Sequence, residues 1–251
     1  MQSFESKAKE QFGCAKDASP SLPWLVSLAR YQSPSTPKPV DNSGLMYQVE
    51  QIEIILGNLG TIHDRDFAKR EKEILDGLNT SESFEHAHKL LGDFLGYSAG
   101  KKESDGSPDP WWTQAGICFV FEDHAGADEN TVLDVTKARQ VSSHPNWIKA
   151  NIEECKDSEI IPVLVTPVTK IKKSAFIHLE NVEIWQLDEF RKWAIIAIST
   201  IRNLRKTFLE PGDLEWRANA ADALQANLID AKSLANKLRS NNAKDKITQV
   251  N

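Results

Sequence analysis

Ser107-Pro108-Asp109-Pro110 and, twelve residues beyond that aspartate, Phe121-Glu122-Asp123-His124 are the two stretches that decide how this chain reads. The second closes a continuous apolar run over residues 117–122, which has the character of a buried strand. Trp111-Trp112-Thr113 supplies a shorter strand immediately after Asp109. Asp109 and Glu122 are therefore expected on neighbouring strands. Two carboxylates so placed can hold a hard divalent cation, which takes oxygen ligands and activates water against a phosphodiester.

Working outward, residues 100–110 are a turn-rich connection, and residues 97–101 make another short strand. Before them a helix is expected over residues 82–95, with Phe84, Ala87, Leu91 and Leu95 on one face and Glu85 beside it. Asn79-Thr80-Ser81 offers its caps. After the apolar run, helical sequence over residues 132–142 is expected to break at Pro145, which suits the first turn of a second short helix through Ile152. Ile160-Ile161-Pro162-Val163-Leu164-Val165 reads as a strand, and residues 176–185 as one or two more. Asp188 is placed to cap a long helix to about Phe208, with Phe190, Trp193, Ala194, Ala197, Ile198, Ile201 and Leu204 facing the core.

The flanks differ in character. Residues 17–44 hold five of the eleven prolines, so residues 1–44 read as an arm or linker. Residues 45–79 read as a helical extension, with Leu45, Val49, Ile52, Leu56 and Leu59 on one helical face and a second helix from Asp64 to Leu78. Residues 80–208 form the expected core. Over residues 209–240, Ala221, Leu228 and Ala235, with Leu224, Ala231 and Leu238, recur every seven residues. That spacing suits either a coiled-coil seam or packing within the same chain, the latter preferred. Residues 241–251 read as a polar, frayed tail.

At 251 residues, with 40% hydrophobic and 26% charged side chains, the chain can bury one sizeable core. Cys14, Cys118 and Cys155 are odd in number and far apart, which supports neither a disulfide framework nor a zinc site and points to a reducing, cytoplasmic setting. Charges run through the first 17 residues and no stretch has the roughly 20 apolar residues of a membrane helix, so a protein that is neither exported nor membrane-bound is expected. The net charge of −6 argues against indiscriminate coating of nucleic acid. Any substrate groove must come from local patches such as Lys170-Ile171-Lys172-Lys173, Lys101-Lys102 or residues 137–139.

Helix, three short strands, helix, strand, with acids at the second and third strands, resembles the PD-(D/E)XK, or restriction-endonuclease-like, superfamily across roughly residues 80–200. Phe84-Glu85, Leu90-Leu91-Gly92, Leu95-Gly96-Tyr97, Pro108-Asp109, Glu122 with His124, and Gln140 carry the resemblance. It implies an α/β fold with a mixed central sheet flanked by helices. It also implies a metal-dependent endonuclease acting on nucleic acid, DNA in preference to RNA, with Mg²⁺ (or Mn²⁺) as cofactor. Asp109 and Glu122 would be the principal ligands, the Asp123 carbonyl would complete the shell, and Glu85 would help hold a second ion.

The superfamily's lysine normally lies two residues after the glutamate, and here that position is His124. A neutral imidazole there could serve as general base and a protonated one could stabilise the phosphorane. Gln140 and His144, four residues apart, look like the Gln-x-x-x-Tyr element of one branch, with Gln140 supporting the metal site or a phosphate; His144 could equally satisfy local backbone groups. The helix-rich segment before Phe84 resembles regions joining such domains to larger bacterial antiphage defence or helicase proteins, which together with a homo-oligomer are the expected partners.

His86 and His88 do not share a helical face and read as surface or core-edge residues. Trp111-Trp112 could stack on a displaced base or be buried. The chain lacks GxxxxGK[ST], GxGxxG and GxSxG, which sets aside nucleotide hydrolysis, dinucleotide binding and serine hydrolysis. The rival to a nuclease is an inactive nuclease-like module that binds nucleic acid or a protein.

Overall fold

Residues 43–60, 65–104, 106–240 and 246–250 are described by a computed structural model. The arm expected over residues 1–44 lies outside them except for its last two residues.

The sheet is organised by the hairpin that follows Asp109. β2 (Trp111–Gln114) pairs antiparallel with β3 (Ile117–Asp123), and β1 (Ser98–Gly100) pairs antiparallel with β2. Because Gln114 faces Ile117, only Ala115 and Gly116 remain to make the turn, with φ of 54° and 73°. Positive φ at both central residues is the type I′ geometry whose twist matches the strands it joins.

β3 then feeds α4 (Val135–Asn151), which returns the chain to β5 (Glu159–Thr166), parallel to β3. A helical crossover is the usual way to join parallel strands. β7 (Glu183–Gln186) pairs parallel with β5, giving a mixed five-stranded sheet in the order β1-β2-β3-β5-β7. β4 (Val132–Leu133), β6 (Lys170–Lys172) and β8 (Thr248–Val250) form a small parallel sheet in the order β4-β6-β8.

The two-residue period of β3 divides its side chains between two cores. Phe119 and Phe121 pack with the helices α1 (Ser43–Asn58), α2 (Asp66–Gly77), α3 (Phe84–Phe94) and α6 (Leu187–Thr207). Cys118 and Val120 face the other way, against Ile148 of α4 and Cys155. On α3, Phe84, Ala87, Leu91 and Leu95 are buried as their spacing requires. Gly92 lets this helix lie against Trp112, whose Nε1 would stand 2.3 Å from an added Cβ.

Several expectations needed revision. Pro145 lies inside one continuous helix rather than between two. It cannot donate to the carbonyl of Val141, while the Ser142 and Ser143 hydroxyls donate to the carbonyls of Arg139 and Gln140 in the same turn. Tertiary packing of Ala138, Val141, His144 and Ile148 holds the helix across the proline. α6 starts at Leu187, so Asp188 and Glu189 sit in its first turn, where they favour the positive end of the dipole, and the N-cap is Gln186.

The seven-residue repeat is interrupted: α7 (Leu214–Ala226) and α8 (Ala231–Ser240) are separated by a turn in which Leu228 takes φ 54°. Leu224, Ala231, Leu234 and Leu238 join the main core of the same chain. Residues 176–185 contribute α5's last residue, Phe176, a 3₁₀ turn Ile177–Leu179 and the first part of β7, with α5 spanning Lys173–Phe176. The expected frayed tail includes β8, which pairs with β6; residues 241–245 and 251 lie outside the described ones.

Gly92→Ala separates propensity from packing. Helix propensity alone would favour alanine by about 1 kcal/mol, whereas forcing a methyl against the buried indole should cost more. The expected net result is a loss of about 1–3 kcal/mol, read from chemical denaturation; a gain would show that α3 does not lie tightly on Trp112.

Candidate functional site

The β2–β3 register brings the two predicted acids together. Trp111 faces Val120, and the Phe121 N–H donates to the Pro110 carbonyl at 3.0 Å, so extending the ladder places Asp109 opposite Glu122. The Asp123 N–H then donates to Asp109 Oδ2 at 2.6 Å. Two bonds thus fix Asp109 at the end of β3 although it precedes the strand.

Alternation sends Glu122 and Asp123 to opposite faces of the sheet. Glu122 follows Cys118 and Val120 toward α4, and its side chain is 2% exposed. His144 Nε2 lies 2.5 Å from Glu122 Oε2, and Lys137 Nζ bonds Oε1. A carboxylate only accepts, so Nε2 carries the proton and donates. Lys137 and His144, seven residues apart, reach the same side chain because two turns of helix return to one face. Asp134 fixes the start of that helix by accepting from the Lys137 N–H at 3.0 Å. Burial would push the Glu122 pKa up; the His144 hydrogen bond and the Lys137 charge outweigh it and hold the carboxyl below its ordinary value.

Asp123 points toward α3. His88 Nδ1 is 2.9 Å and 3.0 Å from its two carboxylate oxygens, and donates to them. The His88 ring is wholly buried among Phe84, Trp112, Phe121 and Phe190, with centroids 4.3–5.7 Å away. His88 is therefore a core residue and not a surface or core-edge one. Burial raises the Asp123 pKa, more than the His88 contact lowers it, and the charges of Glu85 and Glu122 add to the rise.

Asp109 is pushed up to about 8, first by burial and then by the charges of Asp123, Glu122 and Glu85, against the opposing Asp123 N–H. Unlike Glu122, it has no cationic side chain bonded to it among the described residues. Glu85 lies near enough for its field to reach Asp109 and Asp123, but its carboxylate is paired with Lys101 Nζ at 2.7 Å.

His124 is half-buried, with Nδ1 3.3 Å from Thr166 Oγ1 and its N–H bonded to the Val165 carbonyl. Burial and the Lys137 charge lower its pKa, which favours the neutral ring. Gln140 is exposed on α4 and its side chain makes no hydrogen bond among the described residues, so it is not drawn to Glu122 with His144. Trp112 is wholly buried and Trp111 is 7% exposed, which leaves neither free to stack on a base. Of the basic patches, Lys170 and Lys172 are exposed on either side of buried Ile171, Arg139 Nε donates to His178 Nε2, and Lys101 is engaged by Glu85.

The donors around Asp109 and Glu122 are oxygens in a concentrated negative field, and Glu122 already binds one cation, the Lys137 ammonium. In charge and donor type this fits a hard divalent ion. Among the described residues, however, no three His, Cys, Asp or Glu side chains converge as a preformed metal-binding group.

Lys137 is the functional candidate that sequence reading missed as a site residue, noticing it only within a basic patch. Its signal was the seven-residue spacing to His144 on a helix directly following the acidic strand.

The fold and site together define a mixed α/β domain with an acidic corner where β2 begins and β3 ends. Comparison with protein-family models, curated proteins and solved structures found no match.

The pH dependence of stability follows from Asp109. A carboxyl whose folded pKa stands near 8, above an unfolded value near 4, binds more protons when folded. Stability is full below pH about 4 and falls as pH rises toward about 8. In EDTA, Asp109→Asn should remove this slope and be more stable than the wild type at pH 8 by about 1–3 kcal/mol, with no advantage at pH 4. A wild type whose stability does not fall across this interval relative to the variant would contradict the assignment.

Proposed function

We propose that the chain is a divalent-metal-dependent nuclease of the restriction-endonuclease-like superfamily, acting on DNA in preference to RNA. The observation that carries the reading is the placement of Asp109 opposite Glu122 at the end of adjacent strands, with Lys137 of the following helix bonded to Glu122. Apart from the two-residue β4 between β3 and α4, the order α3, β1, β2, β3, α4, β5 is the element order on which the superfamily resemblance rests, and it supports that fold assignment.

In this reading Asp109 and Glu122, with the Asp123 carbonyl, would hold Mg²⁺ or Mn²⁺, and Glu85, paired to Lys101, would help hold a second ion. Such a cation, when bound, polarises a phosphoryl oxygen and makes water a stronger acid. The chain's own residues supply the rest. His144 keeps Glu122 ionised and oriented. Lys137 is the cation of the reaction, moving from Glu122 to the charge that develops on the phosphoryl group, which is the task of the lysine that His124 replaces in sequence. His124, held neutral by burial and by Lys137, can take a proton from the attacking water.

One observation favours a second reading, an inactive module that binds nucleic acid or protein. Both Glu122 oxygens and both Asp123 oxygens are already bonded to protein groups.

Cleavage of supercoiled plasmid and single-stranded DNA in Mg²⁺, Mn²⁺ or EDTA separates the two. The nuclease reading predicts metal-dependent cleavage that Asp109→Ala or Glu122→Ala abolishes. Wild-type protein that binds DNA without cutting it supports the module instead. If cleavage occurs, Lys137→Ala should lower the rate about 10²–10³-fold, the scale of losing a charge-stabilising group. His124→Ala should cost about 10-fold or somewhat more. The reverse ranking would return the lysine's task to His124.

A further inference from the structure

Cys118 and Cys155 are 37 residues apart in sequence, yet their sulfurs lie 3.4 Å from each other, both wholly buried. Cys118 is on β3, on the same face as Glu122, and Cys155 ends the 3₁₀ turn Glu153–Cys155 that follows α4. The spacing of the cysteines in sequence gave no sign of this pair. Both thiols are free.

We propose that Cys118 and Cys155 form a reversible disulfide, a redox modification site that fastens the end of α4 to β3. This does not depend on the nuclease reading. The chain between the two sulfurs contains Glu122, Asp123, His124, Lys137 and His144, so the bond closes a loop around the whole Glu122 constellation.

The two sulfurs are not equivalent. The Cys155 pKa is drawn down to about 7, first by its side-chain hydrogen bond with Cys118, whereas that contact and burial push the Cys118 thiol up. Cys155 is thus the attacking sulfur, since the thiolate is the nucleophile. Its turn is three residues long, and Glu153, Glu154, Lys156 and Asp157 around it are exposed. Opening so short a surface turn exposes Cys155 without unfolding the sheet.

The oxidant is a hydroperoxide, here hydrogen peroxide. The Cys155 thiolate attacks one peroxide oxygen, the O–O bond breaks, and the departing hydroxide takes a proton to leave as water, giving the sulfenic acid. The Cys118 sulfur then attacks the Cys155 sulfur, its proton goes to the leaving hydroxide, and a second water departs as the S–S bond forms. Two thiols lose two electrons in all, and one peroxide becomes two waters.

The test uses the full chain carrying Cys14→Ser, which removes the third thiol. Treated with hydrogen peroxide, it should lose about 2 Da, yield a Cys118–Cys155 linked peptide on digestion, and recover both alkylatable thiols with dithiothreitol. The oxidised protein should melt at a higher temperature, because the bond restricts the unfolded chain. Hydrogen exchange should slow at the end of α4 and in the turn after it. Cys155→Ser should abolish the mass loss and the shift in melting. Two thiols that remain alkylatable after peroxide, oxygen added to Cys155 while Cys118 stays free, or an oxidised form that melts lower would each overturn the proposal.

Discussion

The bond from the Asp123 N–H to Asp109 Oδ2 is the interaction on which the acidic corner depends. It extends the β2–β3 ladder beyond its last strand residue and anchors a carboxylate that would otherwise belong to a loop. The two-residue turn at Ala115-Gly116 makes this possible, since a tight turn fixes the register of everything that follows. A slip of one residue would place Asp109 opposite Phe121 or Asp123 and turn Glu122 away from α4. The aromatic packing of Trp112, Phe119 and Phe121 on one face and of Trp111, Cys118 and Val120 on the other opposes such a slip, because each set is buried only in this register.

Around that corner the chain treats its three acids differently. Glu122 has two protein partners and is held ionised; Asp123 is tied to a buried histidine; Asp109 has only a backbone donor and is pushed toward its protonated form. Removing one partner from a buried pair typically costs about 3–5 kcal/mol. The histidines therefore matter for the fold: His88 joins α3 to β3 from one side and His144 joins α4 to β3 from the other. Asp109 is the member whose environment penalises its charge, through burial and the fields of Asp123, Glu122 and Glu85.

Much of the architecture was legible because the periodicities were clean. The apolar run ending at Phe121, the i, i+3, i+4 spacing of Phe84, Ala87 and Leu91, and the broad face from Phe190 to Leu204 each fit one element type. At Pro145 the local stiffness of the chain predicts a break, which the tertiary contacts of Val141, His144 and Ile148 override by holding the helix across it. The seven-residue spacing from Ala221 to Leu238 packs within the same chain as expected, but not as one helix, since nothing local announces the left-handed turn at Leu228. Within the site, Asp109 and Glu122 were found by spacing. Lys137 and His88 were not assigned their roles, because a lysine on a helix and a histidine beside alanine look like surface residues until the partner carboxylates are placed in space. Gln140 had the right spacing to His144 but fell on the exposed side of the helix.

The most direct test of the account is whether the corner binds a divalent cation at all. Titrating Mn²⁺ into the protein above pH about 8, where Asp109 is ionised, and following the free ion by electron paramagnetic resonance isolates binding from turnover. The account predicts that wild-type protein removes Mn²⁺ signal, that Mg²⁺ competes, and that Asp109→Asn abolishes the effect while the fold persists. A wild type that leaves the signal untouched, or a variant that binds as well as the wild type, would contradict it.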